Sequence, residues 1–154
     1  MSTRSLIGIK NEDGSITDVY CHFDGYLDGV GITLVNHYDT EEKIRELFEH
    51  GDMSSLGDDI KSCEFYKDRG EDGVDAGTIP ADIPEDVEDA YYVGGQHCWA
   101  DYVYLFKDGK WYYARESVKR TEDGHGIVYD DKGEMVYAPA EWKLVTDGLK
   151  KTAE

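Results

Sequence analysis

The sequence is poor in cysteine and proline and contains no long hydrophobic run, and each shortage excludes a class of protein. Its 154 residues include 3 cysteines and 3 prolines. Cys21, Cys63 and Cys98 are widely spaced and form no CxxC pair, which argues against a disulfide framework and against a zinc site of the usual spacing. No stretch approaches the roughly 18 apolar residues of a membrane span. The opening residues lack the apolar segment of a signal peptide, so we expect a cytoplasmic protein.

Basic residues are also scarce relative to acidic ones. The chain has 16 Lys and Arg against 34 Asp and Glu, a net charge of −18. A surface of that sign repels nucleic-acid backbones and anionic membranes, so neither is expected as a direct partner. Hydrophobic residues make up 40% of the chain, which includes 12 tyrosines, and this composition is globular. The length predicts one domain over residues 1–154.

Short apolar segments separated by turn residues predict hairpins at both ends of the chain. Asp108-Gly109 lies between two aromatic and β-branched segments, which is a strong hairpin signal. The predicted strands are 5–10, 16–23, 101–106, 110–115, 127–129, 134–137 and 142–145. On the second strand, the face of Val19, Cys21 and Phe23 is predicted to be the core side.

Apolar residues recur at helical spacing after the first predicted hairpin. This spacing predicts helices over 30–38 and over 41–48, the latter capped by Thr40 and ended by Gly51. A short helix is predicted to open at Pro84 and to end at Gly94 and Gly95. With no long βαβ alternation, the predicted fold is α+β: a single domain with an antiparallel sheet of hairpins and two or three helices packed on one face.

Most of the negative charge is concentrated in the middle of the chain. Residues 39–89 contain 18 acidic and 5 basic residues, so they carry −13 of the total of −18. Within them, the segment at about 57–90 contains glycines and prolines at irregular spacing and is predicted to be rich in loops.

A charge of this size exceeds the magnitude of about 2–8 that keeps a small domain soluble. One physical use for it is mimicry of nucleic acid, in which carboxylates replace phosphates in a basic groove of another protein. Solubility alone and halophilic adaptation are the competing explanations. The residues predicted to bind such a groove are Asp58, Asp59, Glu64, Asp68, Glu71, Asp72, Asp75, Asp82, Glu85, Asp86, Glu88 and Asp89.

A second hypothesis is a small enzyme or a binder of a small molecule or nucleotide. His22 and Asp24 share a face if the strand continues, and such a pair suits a base with its orienting carboxylate; His97 is a further candidate. A buried histidine beside an ordinary turn explains the same residues. No phosphate-binding glycine loop and no EF-hand pattern occurs, so no cofactor and no metal site is predicted. The first hypothesis assigns no catalytic residue.

Several motifs resemble a family of small proteins from bacteriophages and mobile elements. They are the opening MSTRS with IGI, the segment YCHFDGY at 20–26, the element GDMSSLG at 51–57 and the strand YVYLF at 102–106. The resemblance implies a phage-like origin and the cytoplasm of a bacterial host, and it carries no assigned activity. Small acidic phage proteins without enzymatic motifs resemble inhibitors of host defence, including anti-CRISPR and anti-restriction proteins. By that analogy the expected partner is a nucleic-acid-binding defence protein, with a CRISPR effector nuclease as the first choice.

Overall fold

The computed structural model describes residues 3–115, 119–138 and 140–153, without the side chains of 96, 97 and 150–153. This part of the chain folds into one sheet of eight strands with four α-helices, an α+β fold. The strands are β1 (Ser5–Lys10), β2 (Ile16–Cys21), β3 (Met53–Ser55), β4 (Glu64–Phe65), β5 (Gly77–Ile79), β6 (Tyr102–Lys107), β7 (Lys110–Arg115) and β8 (Lys143–Leu144). The helices are α1 (Ile32–His37), α2 (Glu41–Phe48), α3 (Val87–His97) and α4 (Val145–Ala153).

The sheet is mixed, which corrects the prediction of an antiparallel sheet. Its strand order is β4-β3-β2-β1-β6-β7-β8, and β5 pairs with β2 beside β3. The two strongest predicted hairpins, β1–β2 and β6–β7, are present and antiparallel. They are joined side by side through a parallel pairing of β1 with β6, and β2 with β3 is parallel as well. Local turn chemistry fixes each hairpin, whereas the pairing between hairpins depends on long-range contacts.

Helices pack on both faces of the sheet, which corrects the prediction of helices on one face. One core cluster joins α1, α2 and the start of α4 to the strand face that carries Ile7, Val19 and Tyr104. The other joins α3 to the opposite face, where Leu6 and Val103 are buried. Of the face predicted to be the core side of β2, Val19 and Cys21 are buried, but Phe23 is 45% exposed because it lies beyond the end of the strand.

Strand β1 lies at the centre of the sheet, and its sequence SLIGIK suits that place. Five of its six residues are buried, as expected for a strand that is covered on both faces. Gly8 allows Tyr91 of α3 to lie directly on the strand: a Cβ atom at Gly8 would be 2.7 Å from the Tyr91 ring carbon Cζ. The Tyr91 hydroxyl donates a 2.6 Å hydrogen bond to the Tyr104 carbonyl, which fixes α3 over β1 and β6.

Other predicted elements differ from the structure in detail. Helix α3 does not end at Gly94 and Gly95 but continues to His97, and the missing side chain of Gly95 lets it approach Val103 closely. The predicted strands 127–129 and 134–137 are joined by the isolated bridge of Tyr129 with Met135, and Ile127 forms a separate bridge with Arg120. Helix α4 was not predicted. Among the described residues, no helix has the length and apolar character needed to cross a membrane.

Candidate functional site

The acidic residues predicted to bind a partner are almost all at the surface. Eleven of the twelve are exposed, and we call these eleven the acidic edge. Glu64 lies on β4, and the others from Asp58 to Asp75 lie after β3 or after β4, at the outer edge of the sheet. The other four lie between β5 and the first turn of α3. The members of the acidic edge are Asp58, Asp59, Glu64, Asp68, Glu71, Asp72, Asp75, Asp82, Glu85, Asp86 and Asp89.

About half of the acidic edge is neutralised or used by its own surroundings. Asp58 lies 3.5 Å from His37, Glu64 lies 3.8 Å from Arg69, and Asp75 forms an ion pair with Lys67. Two further members serve as caps. The Asp59 carboxylate accepts a 2.9 Å hydrogen bond from the Ser62 backbone N–H, and hydrogen bonding with Ser62 lowers the pKa of this carboxyl. The Asp86 carboxylate accepts hydrogen bonds from the backbone N–H groups of Glu88 and Asp89 in the first turn of α3. The members without an ion pair or side-chain hydrogen bond to any described residue are Asp68, Glu71, Asp72, Asp82, Glu85 and Asp89.

Glu88, the twelfth predicted residue, is a structural residue. Its carboxylate lies 2.7 Å from Lys10 on β1 and 2.7 Å from Lys107 on β6, and the side chain is only 16% exposed. Burial by itself raises the pKa of Glu88, but the hydrogen bonds from the two lysines outweigh it and the pKa is lowered. The Lys107 ammonium also lies 5.0 Å from the centre of the Tyr112 ring. Glu88 therefore ties α3 to the sheet through two lysines of the same chain.

A cleft of about 440 Å³ opens on the α3 face of the sheet, beside the acidic edge. Leu6, Asp18 and Tyr20 form its floor. Asp52 lines one side, where its Oδ1 accepts a 2.9 Å hydrogen bond from the Tyr20 backbone N–H. Cys98, just beyond the end of α3, lines the other side. We call this space the sheet-face cleft.

Asp18 is the electrostatically unusual residue of the sheet-face cleft. Burial, with a smaller contribution from the nearby Asp52 carboxylate, raises its pKa to about 6. Burial also raises the pKa of Asp52, and Asp75 adds to the effect. No described side chain donates a hydrogen bond or an ion pair to the Asp18 carboxylate. Its ionised form is therefore poorly stabilised near pH 7.

Two residues of the enzyme hypothesis, His22 and Asp24, have separate hydrogen-bonding partners. His22 is half-buried, and its Nδ1 is hydrogen-bonded to the Tyr20 hydroxyl at 2.7 Å. Asp24 is exposed in a left-handed backbone conformation, with a φ of 58°, and accepts a 3.1 Å hydrogen bond from the Tyr26 hydroxyl. No hydrogen bond joins His22 to Asp24. The side chain of His97 lies outside the described residues.

The cysteines have the properties of packed side chains. Cys21 is buried on the face opposite the sheet-face cleft, and burial raises the pKa of its thiol to about 12. Burial also raises the pKa of Cys98. A raised pKa reduces the thiolate fraction at neutral pH, so neither group is activated for nucleophilic attack.

Sequence patterns contained only a weak signal for the sheet-face cleft. Asp18 stands between Ile16 and Tyr20 on one face of β2, and a carboxylate in that position interrupts an otherwise apolar face. The approach of Asp52 depends on the parallel pairing of β2 with β3, which the sequence does not indicate. Among the described residues, no three His, Cys, Asp or Glu side chains are arranged to hold a metal ion.

Comparisons of the chain with models of protein families, with curated proteins and with solved structures return no match. The geometry and charge of the two features above are therefore the basis for the functional proposal.

Proposed function

We propose that this protein is a binding protein whose acidic edge occupies a basic, nucleic-acid-binding groove of another protein. The observation that carries the proposal is the uneven distribution of charge. Residues 39–89 hold −13, whereas the other two thirds of the chain hold −5. The acidic edge supplies most of the exposed carboxylates of this region, and six of them form no ion pair with a described residue.

Unpaired carboxylates favour a basic partner for an electrostatic reason. Their mutual repulsion in the free protein opposes folding, and it is relieved when Lys and Arg side chains of a partner come between them. Complementary charge also accelerates association, because the partners attract each other before contact. Both effects weaken in salt, since the screening length is about 8 Å at physiological ionic strength.

The class of partner comes from the sequence resemblance. Because the sequence resembles small acidic phage proteins, the proposed partner is a nuclease of bacterial host defence, with a CRISPR effector as the first candidate. The proposed place of action is then the cytoplasm of the bacterial host. Binding requires no cofactor and no catalytic residue in this protein.

The experiment is a capture from nuclease-treated bacterial lysate, repeated with two charge variants of equal size. Glu71→Gln with Asp72→Asn removes two unpaired charges from the acidic edge. Glu122→Gln with Asp131→Asn removes two exposed charges from the segment after β7. We expect the captured protein to bind nucleic acid, and the first variant alone to lower its association rate, by about threefold at low salt. Equal effects of the two variants would show that net charge, and not the acidic edge, determines binding.

Recognition of a small molecule in the sheet-face cleft is the second candidate function. The observation in its favour is the half-buried Asp18 carboxylate, which accepts no hydrogen bond from a described side chain and lies close to the hydrogen-bonded pair Tyr20 and His22. His22→Ala separates the two candidates. If it abolishes function while the variant at Glu71 and Asp72 does not, the small-molecule function is correct and the acidic edge serves solubility.

A further inference from the structure

Trp99 is the most exposed large apolar side chain among the described residues, and its backbone is strained. The side chain is 72% exposed, whereas Trp111 is 5% exposed in the core. Its φ is 63°, in the left-handed region. The other described non-glycine residues in that region are Asp24 and Asp108, and aspartate tolerates it because its short side chain forms local hydrogen bonds. A bulky residue such as tryptophan is rarely found there.

The left-handed conformation of Trp99 results from the way in which α3 ends. The Ala100 N–H donates a 2.9 Å hydrogen bond back to the Gly95 carbonyl, which is the bond of a Schellman motif. In this motif the residue before Ala100 is left-handed, and glycine is the usual residue there. Ala100 is fully buried, so the turn is held in place. Both the conformation and the exposure of Trp99 are unfavourable in the free protein, and a role in binding accounts for both.

Trp99 lies next to the sheet-face cleft, and the cleft connects it with the acidic edge. Trp99 directly follows Cys98, which lines one side of the cleft. Asp75, a member of the acidic edge, lines the same cleft. An ordinary protein interface buries about 800 Å² on each partner, so one partner that covers the acidic edge on this side also reaches Trp99.

The charge around Trp99 is predominantly negative. Burial raises the pKa of the Cys98 thiol, and nearby carboxylates add to the effect. The positive charges nearby are Lys67, which is paired with one carboxylate of the cleft, and Arg4, whose guanidinium lies beside the Tyr20 hydroxyl. The last carbonyl groups of α3 carry partial negative charge as well. The carboxylates beside Cys98, in the cleft and in the following turn are those of Asp18, Asp52, Asp75 and Asp101.

We propose that Trp99 is an aromatic anchor of the binding interface, on which an arginine side chain of the basic partner stacks. This inference rests on the proposed function, since it assigns Trp99 to the same partner as the acidic edge. The face of an indole ring attracts cations, and a planar guanidinium stacks on it better than an ammonium does. Tryptophan is also among the residues that most often contribute the largest share of binding energy in protein interfaces.

The test is a titration of the ¹⁵N-labelled protein with two peptides of equal length and charge, nona-arginine and nona-lysine. Both peptides are attracted to the acidic edge, and the guanidinium groups add stacking on Trp99. We expect the Trp99 indole N–H signal to shift with nona-arginine while the Trp111 signal stays in place. The measured quantity is the ratio of the two affinities, to which stacking on an exposed ring contributes about threefold.

Three variants identify the group responsible. Trp99→Gly should lower the ratio by about threefold and also raise the Tm of the free protein by about 2–4 °C, because glycine relieves the strain. A side chain with a purely structural role would lower the Tm when removed. Trp99→Phe keeps a ring and should retain most of the ratio. Tyr129→Ala removes a 57% exposed ring from the segment after β7 and should leave the ratio unchanged.

The variant with Glu71→Gln and Asp72→Asn separates this inference from the proposed function. It should weaken the binding of both peptides equally and leave the ratio unchanged. If it has no effect while Trp99→Gly lowers the ratio, the acidic edge is not the binding surface and Trp99 still is. If it weakens binding while Trp99→Gly changes neither the ratio nor the indole shift, the anchor role of Trp99 is overturned alone. A Trp99 signal that moves with protein concentration and not with peptide would overturn it in favour of self-association.

Discussion

Replacement of Glu88 by Gln tests whether this residue belongs to the framework and not to the binding surface. The wild-type carboxylate accepts two charge-assisted hydrogen bonds of 2.7 Å from Lys10 and Lys107. Gln removes the negative charge, and the NH₂ of its amide group then faces one of the lysines, so that two hydrogen-bond donors oppose each other. Each bond to a charged group contributes about 1.5–3 kcal/mol, and the side chain is partly screened by solvent. We therefore expect a loss of about 2 kcal/mol in the free energy of unfolding, or about 4–8 °C in Tm for a chain of this size.

The assay is urea unfolding followed by circular dichroism, with Glu85→Gln as the matched control. Glu85 is exposed two residues before α3 and has no partner among the described residues, so its variant should change stability by less than about 0.5 kcal/mol. The lowered pKa of Glu88 adds a pH dependence. Because the folded-state pKa lies below the ordinary value of 4.5, the stabilisation is present above that pH and is lost as the pH falls below it. The reasoning is refuted if the two variants are equally stable at pH 7.

Three further predictions concern the sheet. Asp18→Asn should stabilise the protein by about 2 kcal/mol at pH 7, because the pKa of Asp18 is raised to about 6 in the folded state. In the wild type, the ionised Asp18 carboxylate destabilises the folded protein progressively as the pH rises from about 4 to about 6. Urea unfolding at pH 4 should therefore show no difference between the two proteins. Gly8→Ala should cost about 3 kcal/mol, because the new Cβ displaces the Tyr91 ring; a stability within 1 kcal/mol of wild type contradicts this packing. Cys21, whose pKa is raised to about 12, should resist iodoacetamide at pH 8 in the folded protein, as mass spectrometry of the labelled peptide would show.

The local parts of the fold could be predicted from the sequence because their causes are local. Asp108 and Gly109 adopt the left-handed conformations, with φ of 52° and 76°, that a two-residue hairpin needs. The Thr40 hydroxyl accepts a hydrogen bond from the Lys43 N–H and begins α2, as expected for an N-cap. Such features depend on residues within a few positions of one another.

The order of the strands could not be predicted, because it depends on contacts between distant residues. The apolar sequence of β1 indicates a central strand, but nothing in it specifies a parallel partner. The same limit applies to the candidate sites. The acidic edge is exposed, as predicted from its composition. Glu88 is instead largely buried, because Lys10 and Lys107 approach it from β1 and β6. Asp18 and Asp52 meet only once β2 and β3 are paired.

The role of the acidic edge is tested most directly by competition with nucleic acid. The captured partner is loaded with a fluorescent double-stranded DNA, and this protein is added at low and at high salt. The account predicts displacement of the DNA by the wild type at low salt, weaker displacement by the variant at Glu71 and Asp72, and a steep loss for both as salt is raised. A ternary complex in which the DNA remains bound, or displacement that is independent of salt, would contradict it.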